Sequence, residues 1–571
     1  MDTSILKERR TPNYFKKFYH LVIRNRSISS RNFVDRLAQV YGDRPTFFLD
    51  TPLSYPFFSG SEISYRDLQK LVNRAGNALL QVGVGQGDRV GLITYNRIEL
   101  VFAEFACLKI GAIPVPLNAM LKADEINYEM ENSGATVLLT DPEIFRRSIR
   151  DTNAVPAVRT WIMLGEGDKP PGFYSLGEMM QAGSEDLDPA PLTNEDAIVL
   201  IFYTSGTTGR PRGAMLTDRN IMFTVRRYCL LFGILPTNRR QLALLVMPVA
   251  HTSGHQNLLI LLSMAIPMYL MTRFDTAQVL ANIERYRVTF FAGIPAMFRM
   301  MLQSGAERHD LTSIQVWGGG ADAFPPDLVR TFRELSARKR CGIRIKPIFV
   351  HGYGMAETAG HVCISPPWGP PCAGWVVPGI RFRIMDENGN PVAKGSPGEL
   401  EIKGPGIMKG YWNDPEKTNE AFRGEWFRTG DIMRQHRWRL LEFVDREKDV
   451  IKCAGYSVFP TEVEHCLSEY SKIERAVVVG VPHSIKGEMP IAVVKIRSGA
   501  ECTEEELQMW ADERIAPYKR PRRYLFLDSI PSTFSLKPLR RELRQVAIQT
   551  LGKDWEQSLK SKDMREQPVI E

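Results

Sequence analysis

The order of apolar and polar positions along the chain predicts an α/β protein. Apolar residues recur at helical spacing through residues 65–80, and a short apolar segment typical of a buried strand follows at 89–94. A second helical stretch ends near Ala106, and the next strand-like segment covers 113–117. Helices that alternate with buried strands favour a mostly parallel sheet with helices on its faces.

Four further strands are predicted, and each runs into a loop that contains glycine or polar residues. These strands and their loops are 244–247 with 248–251, 288–291 with 293–295, 313–316 with 317–322, and 347–350 with 351–358. Ligands of open α/β sheets bind outside the carboxyl ends of the strands. We therefore expect the four loops to line one cleft.

Changes in pattern also predict the domain organisation, because 571 residues are too many for one hydrophobic core. An N-terminal arm covers residues 1–34, and a large α/β domain covers 35–445. Within the large domain, short strands and turns at 380–445 indicate a small β subdomain. Helices and strands at 446–550 predict a smaller α+β domain, and 551–571 forms a polar tail.

The composition is that of a soluble globular protein, with 44% hydrophobic and 24% charged residues. The longest strongly apolar stretch, 258–271, has 14 residues and contains Pro267, so it is too short to cross a bilayer. The N-terminus shows no secretory signal, and the eight cysteines include no C-x-x-C pair. We therefore expect a cytoplasmic protein without a zinc site or a disulfide framework.

The formal net charge of +8 is concentrated in the N-terminal arm. Residues 1–31 contain eight Lys or Arg and two acidic residues, which gives +6 and leaves +2 for the rest of the chain. Nucleic acid is therefore not an expected partner. Two interpretations of the arm stay open: a helix within residues 1–30 that rests on an anionic membrane surface, or an arm that packs aromatic side chains onto the protein. The apolar positions at helical spacing are Phe15, Phe18, Tyr19 and Val22.

The strongest chemical signal is the segment 203–213, YTSGTTGRPRG. It follows a strand predicted at 197–203, and it combines hydroxyl side chains and glycines with Arg210 and Arg212. Glycine lets backbone N–H groups turn toward an anion, hydroxyl groups add donors, and guanidinium groups match phosphate oxygens. The segment therefore predicts a polyphosphate-binding loop. Its central residues are Thr204, Ser205, Gly206, Thr207, Thr208 and Gly209.

This loop is not of the Walker type. A Walker loop has the pattern G-x-x-x-x-G-K-[ST] and opens directly into a helix, and that pattern does not occur in the chain. Here Pro211 interrupts the loop, and residues 214–216 are predicted to be extended. A helix is predicted to begin only at Thr217 or Asp218, both of which are good N-cap residues.

Five motifs resemble, in the same order along the chain, those of the adenylate-forming superfamily of acyl-CoA synthetases, firefly-type luciferases and peptide-synthetase adenylation domains. The motifs are 204–209, 351–358, 426–431, 445–455 and 531–537, and the similarity covers roughly residues 35–545. The resemblance implies a large N-terminal domain, a small mobile C-terminal domain and a two-step reaction. ATP and a carboxylic acid would form an acyl-adenylate and pyrophosphate with Mg²⁺ as cofactor, and coenzyme A would then take the acyl group.

The resemblance implies nucleotide-binding roles for particular residues. The loop from Thr204 to Gly209 would hold the β- and γ-phosphates of ATP, and Tyr353 would stack on the adenine. Asp431 and Arg446 would bind the ribose hydroxyl groups. The other residues of the adenine slot would be Gly320, Ala321, His351, Gly352 and Gly354.

The resemblance also implies three catalytic residues, Arg212, Glu357 and Lys537. The first step brings two anions together, so it needs neutralising charge, and Glu357 would bind the Mg²⁺ ion. Lys448 would be the hinge about which the small domain turns. After the turn, the residues facing coenzyme A would be Lys452, Ala454 and Gly455.

The acid would bind in a pocket that contains His251, Trp317, Gly318 and Gly354. His251 stands at the position of the family's acyl gate, but a core histidine is an equal alternative. Trp317 either narrows the cleft or belongs to the core. Acetate-specific relatives have a tryptophan in place of Gly354, and the glycine suggests space for a longer acid. We expect a medium- or long-chain fatty acid first, and an aromatic or carnitine-like acid next.

Three departures from the family pattern keep other functions open. Arg212 stands where lysine is usual, Ala356 where threonine is usual, and Leu536 where glycine is usual. A weakened or non-catalytic relative that only binds ATP is therefore one alternative. A fatty acyl-AMP ligase that serves a carrier protein is another, because the sequence encodes the thiol acceptor poorly. An amino-acid substrate is not expected, because residues 249–254 contain no acidic residue to pair with its ammonium group.

Overall fold

The computed structural model describes residues 28–165, 169–204, 210–232, 241–320, 324–366, 373–453, 456–483, 487–517, 519–532 and 538–552. The chain divides into two compact units. The first runs to Arg381 and includes Lys403–Phe427, and the second contains Phe382–Ile402 and the chain from Arg428 onward. The strands predicted at 380–445 are thus divided between the units, and the predicted domain boundaries stay a prediction.

The strands are numbered along the chain. They are β1 Pro45–Tyr55, β2 Phe58–Ser64, β3 Arg89–Ile93, β4 Ile113–Pro116, β5 Val137–Thr140, β6 Thr160–Met163, β7 Tyr174–Ser175, β8 Ile198–Thr204, β9 Arg212–Thr217, β10 Ala243–Leu245, β11 Met268–Leu270, β12 Phe290–Gly293, β13 Val316–Gly320, β14 Arg338–Arg340, β15 Ile343–Ile345, β16 Ile348–Met355, β17 Gly360–Ile364, β18 Ala373–Val376, β19 Arg381–Met385, β20 Pro397–Lys403, β21 Phe422–Arg423, β22 Trp426–Gln435, β23 Leu440–Arg446, β24 Ile451–Cys453, β25 Tyr456–Val458, β26 Ile473–His483, β27 Gly487–Ile496 and β28 Tyr524–Phe526.

The α-helices are numbered in the same way. They are α1 Phe33–Tyr41, α2 Tyr65–Gln81, α3 Ile98–Ile110, α4 Ala123–Ser133, α5 Pro142–Ile144, α6 Leu176–Ala182, α7 Asp218–Phe232, α8 Thr252–Ser263, α9 Thr276–Tyr286, α10 Pro295–Gln303, α11 Pro326–Leu335, α12 Pro415–Ala421, α13 Pro460–Ser468, α14 Glu504–Arg514 and α15 Arg540–Leu551. Within the described ranges, no helix combines the length and apolar character that crossing a membrane requires.

Two largely parallel sheets form the frame of the first unit. One has the order β4-β3-β5-β6-β7, and all its neighbouring strands are parallel. The other contains parallel β1, β11, β10, β12, β13 and β16, with antiparallel β2 on one side and β17 and β18 on the other. The predicted α/β class with parallel sheets and flanking helices is confirmed.

Two strands of the second sheet extend further than predicted. Residues 317–320 continue β13, and residues 351–355 continue β16, although both stretches were expected to be loops. The register pairs Gly319 with His351 and Gly320 with Gly352. Beyond that point β16 pairs with antiparallel β17, which supplies hydrogen-bond partners for the backbone as far as Met355. Glycine-rich sequence was mistaken for loop because it also permits close strand pairing.

The core of the first unit contains Trp317. Its ring is fully buried and meets Phe298 and Phe332 edge-on, with centroid distances of 5.5 and 5.2 Å. Its indole N–H donates to Ser336 Oγ at 3.0 Å, so the one polar atom of the ring is satisfied. The prediction that Trp317 lines the acyl pocket is therefore wrong, and its alternative as a core residue is confirmed. Gly318 points to the opposite face, where an added Cβ would lie 2.9 Å from Ala292 Cβ.

In the second unit, strands β19, β20, β22 and β23 are neighbours in that order. A five-stranded sheet has the order β25-β24-β27-β26 with β28 beside β27. Strands β26 and β27 form a long antiparallel pair, and helices α13 and α15 pack against it. Apolar side chains from these elements form one buried cluster. The α+β character predicted for the smaller domain is confirmed.

The end of the N-terminal arm is fixed to the first unit. The backbone N–H and the hydroxyl of Ser30 both donate to Asp218 Oδ1 at 2.6 Å, and Arg31 donates to the carbonyl oxygen of Pro191. Helix α1 already begins at Phe33. The basic and aromatic residues on which the membrane hypothesis rests lie outside the described residues, so that hypothesis stays untested.

A buried ion pair connects the first three helices. The ammonium group of Lys109 on α3 is only 2% exposed, and it lies 2.5 Å from Asp35 Oδ1 on α1 and 2.6 Å from Asn73 Oδ1 on α2. A buried ammonium group that loses its carboxylate remains charged and desolvated. The pair therefore makes the packing of these helices depend on both partners.

We expect Asp35→Ala to destabilise the first unit by about 3 kcal/mol, because it leaves Lys109 buried without a counter-charge. The double variant Asp35→Ala/Lys109→Met should recover most of that loss. Urea unfolding followed by tryptophan fluorescence measures both changes. The control is Asp43→Ala, which removes an exposed ion pair with Arg66 and should change the free energy of unfolding by less than about 1 kcal/mol. Equal losses in the single and double variants would contradict the assignment.

Candidate active site

A two-stranded hairpin carries the hydroxyl-rich loop. Strands β8 and β9 pair antiparallel, and their register ends with Thr204 opposite Arg212. The predicted strand, extended segment and late helix start are all confirmed, because β9 runs into α7 at Asp218. Thr217 is its N-cap, since its hydroxyl accepts the N–H of Asn220 at 3.3 Å. Residues 205–209 lie outside the described residues, so their phosphate-binding role stays a prediction.

Helix α4 supports both ends of this loop. The hydroxyl of Tyr203 donates to Asn132 Oδ1 at 2.7 Å, and the hydroxyl of Tyr128 donates to the Pro211 carbonyl at 3.1 Å. The guanidinium of Arg210 lies 5.1 Å from the centre of the Tyr128 ring, in cation–π contact. Burial, with a smaller contribution from Glu125, raises the pKa of Glu129 on the same helix to about 8.

Two predicted catalytic residues meet at Tyr411. Its hydroxyl donates to Glu357 Oε1 at 3.0 Å, and the guanidinium of Arg212 lies 5.6 Å from the centre of its ring. Burial and the adjacent Glu357 raise the pKa of the Tyr411 hydroxyl, while Arg212 opposes that rise. Tyr411 therefore stays protonated as a donor. Sequence reasoning missed this residue, although a tyrosine directly after Gly410 was the available signal.

Backbone hydrogen bonds hold this group together. The segment 409–412 runs beside β9, with Met215 N–H donating to Gly410 O at 2.9 Å and Trp412 N–H donating to Gly213 O at 2.7 Å. The N–H of Met408 donates to the carbonyl oxygen of Glu357 at 2.8 Å. One segment thus fixes both the strand that carries Arg212 and the 3₁₀ turn that carries Glu357.

The arrangement suits a hard cation bound mainly through phosphate oxygens. Glu357 offers one half-buried carboxylate held by Tyr411. No group of three or more His, Cys, Asp or Glu side chains placed to hold a metal occurs in the chain as far as it is described. Mg²⁺ often takes only one or two carboxylates and completes its shell with water and substrate phosphate. The residues therefore fit Mg²⁺ together with ATP.

The strand ends bring the predicted adenine-slot residues together. Gly320 and Gly352 are direct neighbours on β13 and β16, and Tyr353 pairs with Cys363 on β17. A Cβ at Gly352 would lie 2.3 Å from Nε2 of His361, so this position needs glycine. The backbone N–H of His351 donates to Ser365 Oγ at 2.8 Å. Ala321 lies outside the described residues, and the nucleotide-binding roles stay predictions.

Gly354 does not mark open space. A Cβ at this position would lie 2.2 Å from the carbonyl oxygen of Gly360 on β17. Backbone atoms of a packed strand cannot move away as a flexible side chain can. The close approach of the two strands therefore requires glycine, and the inference that this glycine leaves room for a long acid is wrong.

His251 caps helix α8 and is exposed. Its Nδ1 accepts the N–H of Ser253 at 3.4 Å, so the alternative of a core histidine is wrong for this residue. One turn later His255 is buried, with Nε2 2.8 Å from Glu104 Oε1. The gate role of His251 stays a prediction.

In the second unit, Asp431 and Arg446 form an ion pair. They are opposite each other on β22 and β23, with Arg446 Nε 2.7 Å from Asp431 Oδ1, and Asp431 is fully buried. Lys448 is exposed on the 3₁₀ turn Glu447–Asp449. Lys452 is exposed on β24 and bonded to Glu387. The ribose, hinge and coenzyme A roles stay predictions.

The segment with the predicted catalytic lysine lies between fixed ends. Ser532 and Pro538 form a β-bridge, and Leu539 N–H donates to Pro531 O at 2.9 Å. Arg540 then pairs with Glu464, with 2.5 Å between Nη1 and Oε1. Lys537 lies outside the described residues, as do Ala454 and Gly455, so their roles stay predictions.

Comparisons with known proteins agree with the predicted family. The sequence profile of the AMP-binding enzymes matches residues 34–412, and the profile of the AMP-binding enzyme C-terminal domain matches 462–537. A feruloyl-CoA synthase of Amycolatopsis sp is 33% identical over 494 residues, which cover 85% of this chain and 94% of that protein. A long-chain-fatty-acid–CoA ligase of Bacillus subtilis is 29% identical over 515 residues, with 85% and 90% coverage.

Two solved structures have the same fold. ATP-bound MatB from Rhodopseudomonas palustris superposes with a TM-score of 0.80 at 26% identity, covering 92% of this chain and all of that chain. The o-succinylbenzoate coenzyme A synthetase of Bacillus subtilis, in complex with ATP and a magnesium ion, has a TM-score of 0.76 at 25% identity, with 90% and 100% coverage.

We expect Glu129→Gln to become more stabilising as the pH rises. The folded carboxyl has a pKa of about 8, whereas its ordinary value is 4.5, so between these values only the unfolded chain releases the proton. The parent protein therefore loses up to about 1.4 kcal/mol of stability for each pH unit in this window. The glutamine cannot ionise, so its advantage in free energy of unfolding should grow from pH 5 to pH 8 in urea titrations.

The matched control is Glu131→Gln on the same helix, where the carboxylate is exposed. The difference in free energy of unfolding between Glu131→Gln and the parent should not change with pH. Parallel stability curves for the parent and Glu129→Gln would show that the Glu129 carboxyl is not held protonated by burial.

Proposed function

On the premise that the chain belongs to the AMP-binding enzymes and is an adenylate-forming acid–CoA ligase, we propose how its residues divide the reaction and which acid it takes. The acid has a medium or long aliphatic chain, and an aromatic acid is the second candidate. Both classes occur in the names of similar proteins, a long-chain-fatty-acid–CoA ligase and a feruloyl-CoA synthase. The acceptor is coenzyme A.

The observation that carries this proposal is the contact of Arg212 and Glu357 through Tyr411, at the base of the hydroxyl-rich loop. A carboxylate is already ionised at neutral pH, so it needs no general base to attack the α-phosphorus. It needs positive charge and alignment against a polyanion. Arg212 supplies fixed charge beside the loop, and Tyr411 keeps the Glu357 carboxylate in one orientation.

We assign the remaining roles as the resemblance to the family implies them. Thr204 and the loop residues after it bind the phosphates, and Glu357 would hold Mg²⁺, which supplies charge neutralisation when bound. Lys537 neutralises the reacting carboxylate and the α-phosphate. The thiol of coenzyme A then attacks the activated carbonyl carbon, and AMP leaves.

The test is a panel of fatty and aromatic acids assayed for release of pyrophosphate, AMP and the CoA thioester. We expect all three products with at least one acid. Acyl-adenylate without thioester would favour the alternative of a carrier-protein acceptor. ATP binding without pyrophosphate release from any acid would favour the non-catalytic alternative.

We expect Glu357→Gln to lower kcat/KM by about a hundredfold and to raise the Mg²⁺ concentration for half-maximal rate, because it removes the carboxylate charge. Tyr411→Phe should have a smaller effect of about tenfold, because only the orienting hydrogen bond is lost. The control Glu420→Gln changes an exposed acid on α12 and should leave both quantities unchanged. An unaltered Mg²⁺ dependence in Glu357→Gln would remove this residue from the metal site.

We expect Lys537→Ala to abolish adenylate formation and to spare thioester formation from supplied acyl-adenylate. The reason is that neutralising charge is needed only while the carboxylate meets the phosphate. The two half-reactions, measured separately on the same preparation, control for folding. Equal loss of both would contradict a role confined to the first step.

A further inference from the structure

Helix α7 buries a guanidinium group for which the described part of the chain provides no carboxylate partner. Arg227 is only 3% exposed, and its Nε and Nη2 atoms make no hydrogen bond within that part. Its neighbours are the rings of Phe223 and Tyr228, whose centroids lie 4.9 and 5.3 Å from the guanidinium carbon, and the Tyr228 hydroxyl. Burial lowers the pKa of this group.

Two other buried charges among the described residues lie beside an opposite charge. Lys109 has Asp35 at 2.5 Å, and Asp431 has Arg446 at 2.7 Å. Ring contacts compensate a buried cation only in part, whereas a carboxylate neutralises it. The environment of Arg227 is therefore that of a buried cation suited to binding an anionic partner.

The group lies next to the predicted site. The Tyr228 hydroxyl is hydrogen-bonded to Nδ1 of His361. It also accepts a hydrogen bond from Nε2 of Gln256 at 2.6 Å. The opposite ring atom, His361 Nε2, faces Gly352 at the carboxyl ends of the parallel strands. Burial, the nearby Arg227 and His351 lower the pKa of His361 to about 3, so this ring is neutral at neutral pH. Arg227 thus supplies the positive charge of this cluster.

We propose that Arg227 forms the far end of the acid-binding pocket and that the acid carries a second carboxylate, which pairs with the guanidinium. The substrate class is then a dicarboxylic acid, aliphatic or aromatic, of which one carboxylate is activated and the other is bound. This inference rests on the proposed function, since it concerns the acid of that reaction. The planar fork of a guanidinium matches a carboxylate through two parallel hydrogen bonds, which an apolar chain end cannot form.

The first experiment compares dicarboxylic acids with monocarboxylic acids of the same carbon number, from six to twelve carbons, and phthalate-type aromatic diacids with the corresponding monoacids. Pyrophosphate release gives kcat/KM for each. For at least one pair, the parent protein should favour the diacid by about tenfold or more, because a buried polar partner discriminates strongly against a substrate that leaves it unpaired. Preference for the monoacid in every pair would overturn the proposal and leave the proposed function standing.

The second experiment uses Arg227→Gln and, as a control of equal charge change on the same helix, Arg219→Gln. The Arg219 side chain is 43% exposed and pairs with Glu195 and Asp196. The Arg227 variant should lose the preference for the diacid and keep or raise kcat/KM for the monoacid, while the Arg219 variant behaves like the parent. Equal loss of activity on both acids in Arg227→Gln would contradict the proposal.

Melting temperatures separate this role from a structural one and do not require turnover. Without substrate, Arg227→Met should melt no lower than the parent, because it removes a buried charge that has no carboxylate partner among the described residues. The preferred diacid should raise the melting temperature of the parent and not that of Arg227→Met, even if no acid releases pyrophosphate. A markedly lower melting temperature of Arg227→Met, or an equal diacid shift in both proteins, would overturn the inference.

Discussion

Backbone pairing between β9 and the segment 409–412 is the contact on which the chemistry of the first unit depends. Through it, residues two hundred positions apart in sequence reach the same place, so that Arg212 and Tyr411 stand beside Glu357. Buried backbone hydrogen bonds have strict geometry and are costly to break. Main-chain bonds therefore place Arg212, Glu357 and Tyr411, the side chains to which we assign the handling of phosphate charge.

Buried charges occur in two settings in this molecule. Some are paired and have a structural role, and one is proposed to have a functional role. Lys109 with Asp35, and Arg540 with Glu464, are ion pairs in which each charge is neutralised inside the protein. These pairs stabilise the packing of helices and need no ligand. Arg227 has aromatic rings beside it where Lys109 and Arg540 have a carboxylate, and its neighbour Tyr228 is bonded to His361. We propose that the cost of this buried charge is offset by selectivity for an anionic substrate.

Local sequence predicted the elements well wherever one signal was strong. The strand before the hydroxyl-rich loop, the extended segment after it and the helix start at Asp218 all follow from apolar pattern and capping chemistry. The same reasoning failed at glycines. Residues 317–320 and Gly354 were expected to form loop or open space, but glycine equally permits two strands to approach closely. Pattern alone cannot separate these cases, because the neighbouring strand is remote in sequence.

The sequence by itself determined the family, the order of its motifs and most of the residues that carry charge to the site, because these depend on residue type and spacing. The tertiary structure decided which of them meet. It placed Trp317 in the core, where its ring fits among Phe298 and Phe332, and it brought Tyr411 between Arg212 and Glu357. It also left Arg227 buried away from the carboxylates that are described. Whether a charge is neutralised depends on distances between elements far apart along the chain, and only the packed fold fixes those distances.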